Sequence, residues 1–343
     1  MAWQLTFGLT WDLPTLLGLA VALSVIMYVV MDGFDLGVGI LFMFSPGDTD
    51  RDLMMNSIAP FWDGNETWLV LGGTLLIAAF PLAYATLLPA FYIPVATMLF
   101  ALIFRGTAFE FRFRASRFRW LWDLAFSGGS ALAGFCQGVI LGAFIDGIRV
   151  ENGSFAGGTF DFASPFSVVC GFGLVAGYAL LGATWLILRT EGTTANYGRT
   201  TSRIALWATL VFIAAVSIWT PLAHSEIAQR WFRWPNIAWL SPVPIATGLV
   251  AYGIWRSVSG PHEGRPFLLS IALFLLGFLG LGISVWPYAV PYHATLWEAA
   301  SSPPTLAFVG LGVVVIVPIV LGYMSFVHWV FRGKIGADAG YHQ

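Results

Sequence analysis

Nine stretches of this chain stay apolar for the length an α-helix needs to cross a hydrocarbon core, roughly 17 to 25 residues. They fall at about 14–44, 61–88, 90–111, 120–144, 165–188, 204–222, 241–255, 266–288 and 305–331. The first can tilt or overrun the bilayer. The seventh is short, and without it the count is eight. Because lipid offers no partner to a backbone N–H or C=O, such segments can only be helices hydrogen-bonded within themselves. The expected fold is therefore an all-α polytopic membrane protein, one integral domain over residues 1–343. Only 10% of residues are charged, where a soluble domain carries about a quarter. With no basic face outside short loops, nucleic-acid binding has no support.

The basic residues test the nine-span reading. Arg51, Arg105, Arg112, Arg114, Arg117, Arg119, Arg189, Arg199, Arg203, Arg256, Arg265, Arg332 and Lys334 fall on the side that holds the C-terminus. Arg149, Arg230 and Arg233 fall on the other. Positively charged loops stay in the cytoplasm, so the expectation is an outside N-terminus and a cytoplasmic C-terminus. The opening MAWQLTFGLTWD has no basic stretch, so the first apolar helix is expected to act as its own uncleaved signal.

Against this background the acids stand out. Asp32 and Asp35 lie in MDGFDLG, and Asp63 and Glu66 in NSIAPFWDGNETWLV, a repeated Asp-Gly-x-acid pattern at the ends of two adjoining spans. A charge at bilayer depth costs several kcal/mol, about 3 on the lowest scales. With nine spans, Asp32, Asp35, Asp63, Glu66 and Arg105 all fall towards the same leaflet. Two readings stay open. Buried acids within reach of water can relay protons, or they can serve the scaffold as helix-start charges and as counter-ions of Arg105. Arg105 and Glu110, in RGTAFEFR, could pair locally or take part in the same traffic.

Other chemistry is poorly supported. Cys136 and Cys170 sit inside apolar runs without CxxC spacing and are expected to be buried thiols. Of His224, His262, His293, His328 and His342, only His328 lies within a span, so no pair faces across the interior as haem ligation would need. Neither metal nor haem is expected on this chain. The glycines near Gly37, Gly128 and Gly280 follow no strand, which favours close helix packing over phosphate binding. Trp62, Trp68, Trp120, Trp122, Trp231, Trp234, Trp286 and Trp297 are expected mostly at the membrane interfaces.

MDGFDLGVG, NSIAPFWDGNETWLV, the FPLAYA after it, FRGTAFEFR and WPYAVPYHATLWEAASSPPTL together resemble subunit II of the cytochrome bd-type (or cyanide-insensitive) quinol oxidases. The order and spacing match across nearly the whole chain. The resemblance implies two four-helix bundles plus one peripheral helix, in a bacterial cytoplasmic (inner) membrane. It implies a haem-bearing subunit I as partner, in some members a very small third subunit, and quinol and membrane lipids as further partners. The b-type haems, and haem d or a b haem in its place, belong to subunit I, which oxidises quinol and reduces dioxygen to water. Subunit II itself carries no haem, and in some members it holds a structural quinone. On this resemblance Asp63 matches an acid lining a cytoplasmic proton-uptake route, Asp32 and Asp35 the acids beside it, and Arg105 their charge partner. Glu110 stands where some relatives have Asp, and Glu66 where some have an amide, which makes Glu66 the weaker relay. From another class, a proton-coupled secondary transporter would also use buried acids and an arginine, although its acids would sit at midplane.

Overall fold

The computed structural model describes residues 12–115 and 117–336. His342 and most of the MAWQLTFGLTWD stretch lie outside them. The helices run in the order α1 (Leu13–Phe42), α2 (Asp48–Ile58), α3 (Trp62–Ala79), α4 (Pro81–Ala90), α5 (Tyr92–Arg112), α6 (Arg119–Asp146) and α7 (Pro165–Arg189). Then come α8 (Gly192–Ala223), α9 (Ser225–Phe232), α10 (Asn236–Leu240), α11 (Pro242–Ser257), α12 (Gly264–Val285), α13 (Leu296–Ala299) and α14 (Pro303–Val330). Two small antiparallel hairpins, β1 (Val150–Glu151) with β2 (Ser154–Phe155) and β3 (Tyr288–Val290) with β4 (Ala294–Thr295), sit in the connections.

Helix starts follow the local chemistry. The Asp12 carboxylate accepts from Thr15 N–H at 3.0 Å, and Ser164 Oγ accepts from Ser167 N–H at 3.0 Å, each just before a proline in the first turn. A side-chain acceptor there satisfies a donor the helix cannot, and proline has no N–H to lose.

Among the described residues, eight helices are long and apolar enough to cross a membrane. The expected seventh span is among them, extended to Asn236–Ser257. The stretch that falls short is the expected second span, and it is also interrupted. Phe80 leaves helical geometry (φ −131°, ψ 60°), and Pro81 begins a separate helix, α4. Proline has no N–H to donate and pushes the residue before it out of the α region, so 61–88 is two helices and not one. Asp63, Asn65 and Glu66 in the first turns of α3 hold its hydropathy below that of the other spans. The sixth span also differs, since α8 starts at Gly192 and not near 204. Its polar opening packs on α7, where a Cβ at Gly198 would lie 2.7 Å from the Ala183 carbonyl.

Although α3 is not apolar enough to be counted, it still makes a crossing. One end of the molecule gathers the segments after α1, α5, α7, α11 and α14. Arg51 reaches Asp123, Thr193 reaches Asp50, Arg199 reaches the Val258 carbonyl, and Lys334 reaches the Thr190 carbonyl. At the opposite end Trp297 reaches Asp12, His224 meets Asp146, Thr86 reaches the Gly153 carbonyl, and Ser301 N–H donates to the Ala79 carbonyl. Thus α3 enters beside the first end and leaves at the second. Counting α3, the described residues make nine passes.

α1, α3, α5 and α6 form one four-helix group; α7, α8, α11 and α12 form another; α14 rests on the outside of α1 and α3. The groups join where α1 and α6 pack on α7. A Cβ on Gly37 would overlap the Tyr178 carbonyl, and one on Gly182 would overlap the backbone of Gly37. Small residues here let two helices touch backbone to backbone, as membrane packing favours. Trp68, expected at an interface, is 1% exposed instead, and its Nε1–H points at Met324 Sδ at 2.8 Å.

A candidate site of buried carboxyl groups around Arg105

Three helices bring the acids together. On α1, Asp32 and Asp35 stand three residues apart, which places both on one helix face. That face meets the start of α3 and the middle of α5. Arg105 of α5 is fully buried and donates through Nη1 to Asp32 Oδ1 at 2.8 Å and to Glu66 Oε1 at 3.1 Å. Asn65 Nδ2–H donates to Asp35 Oδ2 at 2.6 Å and to the Met31 carbonyl at 3.1 Å. Asp32 and Asp35 are fully buried, whereas the Glu66 side chain keeps 28% of its exposure. Gly129 of α6 sets how close Arg105 lies to the bundle axis. A Cβ there would come 2.6 Å from the Ala101 carbonyl and 3.2 Å from Arg105 N.

Several of these buried polar atoms have no partner among the described residues: Asp32 Oδ2, Asp35 Oδ1, Asn65 Oδ1, and Arg105 Nε and Nη2. They gather in one cluster, whereas the atoms left over near Arg112 are arginine nitrogens only: Arg51 Nε, Arg112 Nη2 and Arg119 Nε.

Asp32, Asp35 and Arg105 thus meet as their shared depth suggested. Asp63 lies one turn before Glu66 on α3 and is exposed on the surface of this chain. Glu110 is likewise exposed, on α5. Glu66 and Asn65, passed over or discounted from sequence, are in direct contact with the cluster.

A second polar chain went unread. Tyr178 OH donates to Gln137 Oε1 at 2.6 Å, and Gln137 Nε2–H donates to Tyr28 OH at 2.8 Å. Tyr28 lies one turn before Asp32 on α1, so this polar chain ends beside the acid cluster. A sign was present in the sequence, since Gln137 is the one amide in the apolar run 120–144.

At the arginine-rich end lies a different ion network. Arg112, fully buried, bonds Asp123 Oδ1 and Asp52 Oδ1, each at 2.5 Å, and its guanidinium stacks 4.9 Å from the Phe42 ring centre. Arg51 holds Asp123 Oδ2 at 3.3 Å and Asp48 at 3.2 Å, while Arg119 holds Asp52 at 2.5 Å. The network ties α2, α5 and α6 together.

The histidines are spread over both ends. His224 meets Asp146 and stacks on Tyr292, His293 reaches the Ile148 carbonyl, and His328 reaches the Met324 carbonyl in its own helix. Among the described residues no three His, Cys, Asp or Glu side chains group to hold a metal ion. Cys136 and Cys170 are buried and unpaired. In the connection before α13, burial and nearby carboxylates push the Tyr292 phenol up to about 12. The Thr295 N–H and hydroxyl hold the Glu298 carboxyl below its usual range.

Comparison with known proteins gives one consistent answer. The family model described as cytochrome bd terminal oxidase subunit II matches residues 13–331. The chain is 30% identical over 357 aligned positions to the cytochrome bd-I ubiquinol oxidase subunit 2 of Escherichia coli K12, covering 92% of this chain and 93% of that one. It is 27% identical to the cytochrome bd ubiquinol oxidase subunit 2 of Bacillus subtilis 168, covering 92% and 94%. In fold it resembles a chain of the bd oxidase from Geobacillus thermodenitrificans. There the TM-score is 0.76 over 93% of this chain and 98% of that one, at 17% identity.

Proposed function

This chain belongs to the cytochrome bd terminal oxidase subunit II family, and from that premise we propose that it lines part of the proton-uptake route of its oxidase. It is a multi-pass inner-membrane subunit of a quinol-oxidising oxidoreductase complex. In this reading subunit I is its partner and carries the b-type haems and the haem at the oxygen site, while this chain binds no haem directly. Quinol is the reductant, and dioxygen is reduced to water. A structural quinone and a very small third subunit remain part of the proposal on resemblance alone. Family membership sets the transporter alternative aside.

The observation that carries the route is the set of unpartnered polar atoms around Arg105. A buried polar group left without a partner costs about 1–3 kcal/mol, and native proteins satisfy such groups with ordered water. A small body of water inside the α1–α3–α5 cluster accounts for all of them at once. Charge balance supports the same reading. Three carboxyl groups, Asp32, Asp35 and Glu66, face one guanidinium. In a low-dielectric site, surplus carboxyl groups are balanced by protons rather than left as bare charges.

A direction follows from the helix geometry. Asp63 lies where α3 begins, at the arginine-rich end. Glu66 is one turn deeper and partly exposed, and beyond it stand Arg105 and Asp32, fully buried. Protons entering at Asp63 would pass Glu66 and the Arg105 waters, with Asp35 and the exposed Glu110 on the flanks. Arg105 holds an acid ionised between transfers. The exposed carboxylate of Asp63 would be costly against lipid, so subunit I is expected to cover this face. Val70 on α3, and Phe100, Ile103 and Phe104 on α5, are also exposed on this chain.

Asp63→Asn in the assembled complex tests the route. Slower quinol-driven dioxygen uptake with full haem content is the expected result. Unchanged uptake at full haem content overturns the relay role, and loss of haem together with uptake reassigns Asp63 to assembly.

A further inference from the structure

Away from the acid cluster, the arginine-rich end of α8 carries a second polar feature that no part of the proton route uses. Between α8 and the α11–α12 connection lies an open cavity of about 660 Å³ lined by Asn196, Arg199, Thr200, Arg203, Ser259 and Gly260, with Pro261 at its edge. Arg199 and Arg203 stand four residues apart, one above the other on the same helix face. Arg199 is held from behind, with Nη1–H on the Val258 carbonyl at 2.6 Å and Nη2–H on Glu263 at 2.9 Å. Arg203 is tethered to Ser259 Oγ through Nη2 alone, which leaves the rest of its guanidinium edge to the cavity.

Below the cavity the same helix faces turn apolar. Continuing from Arg203 along α8, Ile204, Trp207 and Val211 are 68%, 63% and 64% exposed. On α11, beneath Ser259, Trp255 and Tyr252 are 51% and 56% exposed, with ring centres 6.1 Å apart. A cationic, hydroxyl-bearing cavity thus lies at the head of two spanning helices whose exposed aromatic and aliphatic side chains would serve as a trough for acyl chains. A phosphodiester fits the guanidinium forks, and acyl chains fit the trough. Basic pockets between spanning helices take anionic lipid headgroups in this manner.

We propose that the cavity between α8 and the α11–α12 connection is a binding site for an anionic phospholipid, whose headgroup is held by Arg199, Arg203 and Ser259 and whose chains lie along Trp207 and Trp255. The occupant is a lipid and not a free phosphate because a free phosphate would use the arginines but leave the exposed Trp207, Tyr252 and Trp255 without a partner. Zwitterionic lipid would gain the trough but would bring a cationic group to two arginines.

The test uses the assembled oxidase complex, stripped of lipid by extended detergent washing and moved into phosphatidylcholine nanodiscs with or without phosphatidylglycerol. Native mass spectrometry reads the lipid retained. Phosphatidylglycerol is expected to be kept over phosphatidylcholine. Arg203→Gln should lower its retention about fivefold, the value of one basic residue near an anionic surface, and Arg203→Lys should keep most of it. Trp207→Ser should weaken phosphatidylglycerol retention, and inorganic phosphate should compete with the lipid only weakly in both proteins. Equal retention of phosphatidylcholine overturns the proposal, as does full competition by inorganic phosphate or an Arg203→Gln complex that binds as wild type. If Arg203→Gln fails to assemble with its haems, the Trp207→Ser and phosphate measurements still decide.

Discussion

Two ion clusters in this chain are built from the same side chains and are arranged to opposite ends. Around Arg112, three arginines meet three aspartates, and both carboxylate oxygens of Asp123 accept a guanidinium. Around Arg105, one arginine meets three carboxyl groups, and oxygens of Asp32 and Asp35 are left without a donor. The first is balanced and closes the arginine-rich end by binding α2 to α5 and α6. The second is unbalanced, lies deeper, and is expensive to keep dry. Residue type therefore says little about role. What separates the brace from the proposed proton site is whether the charges cancel within the protein.

The comparison is most exposed at the arginines. Arg105→Met removes the cationic partner of a fully buried Asp32, which should cost about 3–5 kcal/mol. The measurement is the yield of haem-loaded complex and its Tm. Arg105→Met with Asp32→Asn should recover much of the loss, because no bare charge then remains. Arg112→Met should cost about 3 kcal/mol as well, since Asp123 is 4% exposed, yet turnover per assembled complex should stay at the wild-type level. A fall in turnover there would erase the distinction between the clusters.

Glu66→Gln keeps the shape of α3 and a partner for Arg105 but removes a protonatable group. Turnover per haem should fall about tenfold, below the hundredfold and more that a lost acid–base group can cost, with Tm nearly unchanged. Arg119→Gln should be milder. Both partners of the Arg119–Asp52 pair are more than a third exposed, so water screens it and the cost should be under about 1 kcal/mol. Its Tm difference should shrink further at high salt.

The smallest effect lies outside the membrane, at the start of α13. Because the Thr295 N–H and hydroxyl lower the folded-state pKa of Glu298, its contribution is present above its unfolded range. It fades as pH falls through the lowered value. Glu298→Gln should therefore remove a slight acid-side slope in Tm and leave the neutral range unaffected.

Much of this is legible in the sequence. The apolar runs marked the crossings, the basic residues marked one end, and the common depth of Asp32, Asp35 and Arg105 anticipated their meeting. The break at Phe80–Pro81 was less visible, because Leu, Ala and Tyr continue the apolar run on both sides of Pro81 and hydropathy is blind to a backbone turn. Glu66 was undervalued because a resemblance compares residue types at a position, whereas its contact with Arg105 depends on the rotation of α3. Tyr28, Gln137 and Tyr178 come from three helices far apart in sequence, and no local pattern links them.

Hydropathy alone makes this chain a bundle of membrane-spanning helices with acids near one end, because the cost of moving polar groups into lipid acts on each segment separately. Which acids share Arg105, which arginines are cancelled, and which polar atoms are left for water were decided only by the tertiary structure. Those outcomes depend on how helices turn and how closely glycines such as Gly37 and Gly129 let them approach. A rotation of one residue on a helix exchanges a buried contact for a lipid-facing one, and no one-dimensional pattern records it.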